Sequence, residues 1–347
     1  MTKKIILFLF ITISFYGYSQ DGQNVKLHYW GNVDEFINEQ TRQTFMLINQ
    51  ILDENPPEIN ETLIRKSALY SIDAILHDPR LNNNDLIYQF MDTRIKTVVK
   101  DMELPVKKGA KIYKLYNDGF VIKTASVTFA MDINRGVSKE QKPLFSDELL
   151  KQIVDKCDIL FVSHSHSDHY DIKCIELFIE AQKPVIAPPD FLKDNESKYI
   201  KRYSSASFSE ILELDYPISD KKTINIKILP GHQDNIINNM YVVKTPEDIS
   251  FAHTGDQWNK EDTEWIPQIK NKVKTDILLV HCWSIPLENI VNGFSPRIVI
   301  TGHENELMHS IDHREPYWLN YERMKNITIP KIFMTWGENY YYIDENF

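Results

Sequence analysis

Residues 158–171 read Asp-Ile-Leu-Phe-Val-Ser-His-Ser-His-Ser-Asp-His-Tyr-Asp, and no other stretch narrows the possible folds as far. Ile159–Val162 is an apolar run of the length of a short buried strand. It breaks at once into His164, His166, Asp168 and His169. Imidazole and carboxylate are the donors that Zn²⁺ and similar divalent ions prefer. Two histidines at i and i+2 straddle a turn, so a loop at a strand end can aim both at one ion. The Asp168-His169 pair behind them points elsewhere and can hold a second.

Three later positions also place a metal-capable residue just after a strand: His232 in Ile-Leu-Pro-Gly-His, Asp256 in His-Thr-Gly-Asp, and His303 in Ile-Thr-Gly-His. Each follows a glycine, which lets the chain turn sharply into a site. With the histidine cluster they make seven donors, enough for two ions. Asp132, directly after the strand expected at Val127–Met131, is placed to orient one ligand from behind. His253, three residues before Asp256, is either a partner to the ligands or a buried core residue. His281, in a His-Cys-Trp run after an apolar strand, carries the same two readings. His309 and His313 stand at i and i+4 and are expected on one helix face. With Arg314 they are candidates to bind an anionic substrate group or to protonate a leaving group. The alternative is a solvated helix start capped by Asp312.

The remaining pattern is α/β. From about Asn32 to Met102 the apolar spacing is helical, with one helix over Phe36–Leu52 ended by Pro56-Pro57 and others at Glu61–Leu76 and Asp85–Val99. From Lys111 onward the chain turns to short strands. A hairpin meander runs from Lys111 to Met131, and strands then alternate with helices at Glu148–Lys156, Ile172–Gln182 and His313–Lys325, with a further possible helix at Glu261–Lys270. Many strands with interspersed helices indicate mixed sheets.

The order Asp132, His164-x-His166-x-Asp168-His169, His232, Asp256, His303 resembles the five motifs of the metallo-β-lactamase superfamily. The resemblance runs from about Gly109 to the C-terminus, leaving 20–108 as a helical N-terminal region ahead of a domain at 109–347. It implies a four-layer αββα sandwich with metals in a cleft at one edge between the sheets. By position, His164, His166 and His232 would hold one ion, Asp168, His169 and His303 the other, and Asp256 would bridge both. Asp168 and Asp256 would then be the catalytic carboxylates. The ions implied are divalent, Zn²⁺ first, with Mn²⁺ or Fe as alternatives. Ser-His-Ser-His-Ser-Asp-His-Tyr-Asp and Thr-Gly-Asp look most like the branch with ascorbate-phosphate lactonases and N-acyl-phosphatidylethanolamine-hydrolysing phospholipases D. The function implied is hydrolysis of a small molecule at a lactone, ester or phosphodiester bond by metal-activated water. The alternatives are a β-lactam hydrolase and a non-catalytic metal-binding or interaction protein on the same fold.

Compartment and partners follow from the ends of the chain and its charge. Lys3 and Lys4, the apolar run Ile5–Phe15, and Gly17 and Ser19 read as a signal peptide over 1–19, with a mature chain from Gln20 that is periplasmic or secreted. The run is short of the roughly 20 residues a span requires, so no stable membrane anchor is expected after cleavage. A formal charge of −10 argues against a general nucleic-acid surface. Three cysteines, Cys157, Cys174 and Cys282, lack CxxC spacing and lie in or beside apolar segments, so buried free thiols are expected.

Overall fold

A computed structural model describes residues 32–136, 142–219, 222–284 and 286–344. The expected signal peptide lies outside them. Two seven-stranded mixed sheets form the centre. In the first, β1 (Ala110–Lys114), β2 (Phe120–Lys123), β3 (Thr128–Met131), β4 (Ile159–Phe161), β5 (Val185–Ala187) and β6 (Ile200–Arg202) lie in chain order, and β14 (Glu338–Tyr342) adds to the free edge of β1. In the second, β7 (Leu212–Ser219), β8 (Lys222–Gln233), β9 (Ile236–Lys244), β10 (Ser250–His253), β11 (Ile277–His281), β12 (Ile298–Gly302) and β13 (Lys331–Ile332) do the same. Each sheet is antiparallel up to β3 or β10 and parallel beyond it.

Parallel neighbours need a crossover, usually a helix. Here α4 (Asp147–Lys156) joins β3 to β4, α5 (Ile172–Glu180) joins β4 to β5, α6 (Leu287–Phe294) joins β11 to β12, and α7 (Tyr317–Met324) joins β12 to β13. The helices flank the sheets, so strands β4, β11 and β12 read as unbroken apolar runs and are buried along their whole length. Between the sheets, the inward residues of each strand make one core. Phe129 meets Phe251 across it at 5.7 Å between ring centres, and Phe161 meets Tyr241 at 5.1 Å. Each such side chain contributes about 1.5–3 kcal/mol by leaving water. The α/β arrangement with mixed sheets expected from the strand pattern is the architecture found, in the sandwich form that the resemblance implies. All three cysteines are buried free thiols.

The helical region comprises α1 (Val33–Glu54), α2 (Leu63–Leu76) and α3 (Asp85–Asp101). Thr62 and Asn84 cap α2 and α3 by accepting the backbone N–H of Arg65 and Leu86. Residues Thr44–Phe347 form one compact unit, so α2 and α3 share it with the sheets; the described residues before Thr44 fall in a separate unit. Arg65 of α2 explains the attachment. It is fully buried, and its two guanidinium nitrogens each lie 2.6 Å from a carboxylate oxygen of Glu338 on β14. The same guanidinium donates to Phe333 O at 2.7 Å.

Two helical expectations change. Glu261–Lys270 forms two 3-10 turns, Glu261–Glu264 and Ile266–Asn271, because Pro267 has no N–H for a continuous helix. His313–Lys325 becomes a 3-10 turn at Ile311–His313 and then α7, which starts only after Pro316. His309 and His313 therefore do not share a helix face. The backbone N–H groups of Tyr317 and Trp318, at the start of α7, donate to Asp73 of α2, which also accepts from Asn305 Nδ2 at 2.9 Å.

Candidate metal centre

The donors collect where strands of both sheets end. Asp132 follows β3, the 164–169 cluster follows β4, Asp256 follows β10, His281 ends β11 and His303 follows β12. These parallel strands point the same way, and the carboxyl ends of parallel strands are where open α/β sheets bind ligands. Register then sets neighbours: His281 pairs with Gly302, so His281 and His303 emerge side by side. Tight backbone makes this possible. Asp132 and His303 adopt φ of 46° and 71°, an uncommon left-handed conformation for non-glycine residues that is concentrated at functional sites. Gly255 has φ of 50°, and a Cβ there would stand 2.2 Å from Asn238 Oδ1 and 2.6 Å from Ser163 Cβ. Only glycine lets the Asp256 loop close against the β4 loop.

Two groups of donors meet at Asp256, and Asp118, Asp132 and His253 form a third behind them. Asp168, His169, Asp256 and His303 form one, and His164, His166 and Asp256 the other, each with its donor atoms within 4.8 Å of one another. Asp256 belongs to both. Its Oδ1 is 3.0 Å from His169 Nε2, while its Oδ2 is 3.7 Å from His303 Nε2 and 3.9 Å from His164 Nε2. Asp168 Oδ2 is 3.2 Å from His303 Nε2 and 3.6 Å from His169 Nε2. With ligand bonds of about 2.0–2.2 Å, donors adjacent on one ion lie about 2.9–3.6 Å apart. The observed spacings are largely of that size. His164 Nε2 and His303 Nδ1 are buried with no hydrogen-bond partner among the described residues. An unmet buried polar atom costs about 1–3 kcal/mol, and native proteins tolerate few. The residues present therefore fit divalent metal binding.

Electrostatics agree with that use. Burial opposes charge on His169 and His303, but Asp256 and Asp168 outweigh it, holding His169 well above its usual value and His303 at about 9. Burial would raise the two carboxyls, yet His169 holds both well below the ordinary carboxylate range. His164 is pushed down to about 3 by burial and then by His169. In the metal-free protein the carboxylates and imidazoles thus pair with one another, and His169 and His303 must give up a proton before they can ligate a cation.

Behind the ligands, Asp132 does what its position suggested. Its Oδ2 lies 2.8 Å from His169 Nδ1, and its Oδ1 accepts the Ser163 N–H at 2.7 Å. This fixes the His169 tautomer with Nε2 toward the centre. His253 lies one layer deeper. Its Nε2 faces Asp118 O at 3.1 Å, and its Nδ1 accepts the Gly255 N–H at 3.2 Å. It ties the Asp256 loop to the β1–β2 turn.

His232 stands apart from both donor groups. It lies half-exposed on β8 with Nδ1 3.2 Å from Asp262 Oδ2. Asp262 also accepts from Gln257 Nε2 at 2.7 Å. Of the residues expected at the substrate, His309 is half-buried with its ring centre 5.7 Å from those of both Trp283 and His303. His313 is exposed beside Asp312. Arg314 does not face a ligand: it is buried, and its guanidinium donates to Leu76 O, His309 O, Leu307 O and Asn82 Oδ1. Its charge is spent on closing the loop after His303.

No family model matches the chain, and a search of curated proteins finds no match. Solved structures do resemble it. Igni18, a metallo hydrolase from Ignicoccus hospitalis, is 12% identical, with 68% of this chain and 100% of that one covered and a TM-score of 0.51. The diiron β-hydroxylase CmlA from Streptomyces venezuelae is 11% identical over 69% of this chain and 55% of its own, with a TM-score of 0.48. A protein from Thermotoga maritima described as a Zn-dependent hydrolase of the metallo-β-lactamase superfamily is 13% identical over 56% of this chain and 76% of its own, with a TM-score of 0.32. The first of these shares the class of fold, an α/β sandwich of two mixed sheets flanked by helices. The two with TM-scores under 0.5 add no weight to that assignment.

Proposed function

We infer that the chain is a metal-dependent hydrolase with two divalent ions held at the ends of β4, β10 and β12. The observation that carries this reading is Asp256, one carboxylate shared by two groups of buried donors. In this reading His164, His166 and His232 face one ion and Asp168, His169 and His303 the other. His232 joins through Nε2, the nitrogen left over when Asp262 takes Nδ1. When bound, the ions supply Lewis-acid polarisation of a substrate oxygen and lower the pKa of water.

The chain's own side chains do the rest. Asp132 keeps His169 in the binding tautomer. Asp168, less buried than its neighbours, is the carboxylate placed to orient water at the mouth of the site as well as to ligate. Trp283 and His309 offer an aromatic wall and a buried, unpartnered ring nitrogen to a substrate group. The reading favours a lactone, ester or phosphodiester of a small molecule, on the branch-like motifs, over a β-lactam. Export through the N-terminal signal and a periplasmic or secreted site belong to the same proposal. Among the described residues no helix is long and apolar enough to cross a membrane.

The test is metal content of the chain from Gln20, followed by hydrolysis of lactones, bis(p-nitrophenyl) phosphate, esters and a chromogenic β-lactam with and without chelator. Two ions and chelator-sensitive turnover on one class support the proposal. Two ions without turnover on any class favour a binding protein on the same fold.

A further inference from the structure

His281 has no part in the seven-donor set, yet its surroundings are those of a ligand. It is buried at the end of β11, and neither ring nitrogen has a hydrogen-bond partner among the described residues. A neutral imidazole carries one N–H and one lone pair, so two unmet needs at one buried ring form an uncommon debt for a folded protein. Its Nε2 lies 3.5 Å from Asp256 Oδ1, the oxygen that His169 Nε2 reaches at 3.0 Å. That separation is long for a hydrogen bond and close to the spacing of two donors on one ion. The ring centre is 4.5 Å from that of His303, edge to face. The main chain fixes the residue there, because the His281 N–H donates to Thr254 Oγ1, two residues before Asp256, at 3.0 Å.

We propose that His281 is an additional protein ligand to the ion shared by His169, Asp256 and His303. This rests on the metal reading above and deepens it. His281 is not one of the four donors grouped around Asp256 and His303, so its ring would have to turn toward them for Nε2 to reach the same ion. The ion on this side then has three imidazoles and two carboxylates. That set suits five- or six-coordinate metals as well as Zn²⁺, whereas the other side keeps a sparser set.

Protein stripped of metal by chelator and titrated with Zn²⁺ tests the assignment, with Co²⁺ absorbance as a second readout of coordination. The wild type is expected to take up two ions. His281→Phe, which fills the same space without a donor, should bind the second ion about 10–100-fold more weakly and alter the Co²⁺ spectrum of that position alone. His281→Gln decides the matter if the phenylalanine variant does not fold. A folded variant with wild-type affinity for both ions and an unchanged Co²⁺ spectrum overturns the assignment. Wild-type protein that binds no ion overturns the metal reading itself, and this inference with it.

Discussion

Asp132 and the histidine it holds show how much hangs on one carboxylate. Replacing Asp132 by Ala removes the acceptor that fixes His169 Nδ1–H, and metal affinity should fall about 10–100-fold, read by competition with a chromogenic chelator. A parallel loss in Asp262→Asn would place His232 at the centre; unchanged affinity there would remove His232 from the ligand set. Protonation supplies a further expectation. His303, held at about 9, is charged at neutral pH in the metal-free protein. Ions bind neutral imidazole, so loading should release protons, and affinity should fall as pH falls. The sign for stability is opposite. A raised folded value contributes stability that is complete below the unfolded value near 6.5 and is lost as pH rises through about 9. Metal-free protein should therefore lose this contribution between about pH 6.5 and 9, while metal affinity climbs. Calorimetry in buffers of different ionisation enthalpy measures the protons, and thermal melts measure the rest.

At the level of elements, most strands were legible because apolar runs bounded by turns leave few alternatives. The β4 loop was legible because four donors in six residues are hard to explain otherwise. What stayed hidden had local reasons. β6 and β14 are short and mixed in composition, so their strand character comes from pairing rather than from pattern. The helix expected to begin at His313 was misjudged because Pro316 sets its start and its caps come from Asp73, 244 residues away from Tyr317 in sequence. Arg314 looked like an anion binder because sequence does not show which carbonyls surround a guanidinium. His281 carried a signal, a histidine at the end of a buried strand parallel to the one before His303, but its weight depends on register. The buried pair of Arg65 and Glu338 is the element-scale joint that bears a prediction. Arg65→Ala should destabilise the fold by about 3 kcal/mol in denaturant unfolding, because it leaves Glu338 buried with only the more distant Arg94, at 3.8 Å, as a cationic partner.

For the molecule as a whole, the centre draws on both sheets: Asp132 and the 164–169 cluster from the first, Asp256, His281 and His303 from the second. A metal bound there would couple the two layers. Metal at about 1,000 times its dissociation constant should add about 4 kcal/mol to unfolding, and chelation should remove it. A chelator that leaves the melting temperature unchanged would count against ions spanning the sheets.

The joint between Arg65 and β14 also sets an order in time. Glu338 lies 273 residues after Arg65. At about 5–20 residues per second, a ribosome releases the carboxylate roughly 14–55 s after its partner. Through that interval the β1 edge is uncovered and α2 carries a cation with nowhere to bury it. A nascent chain in this condition cannot finish folding early, so closure of the first sheet waits on the synthesis of β14.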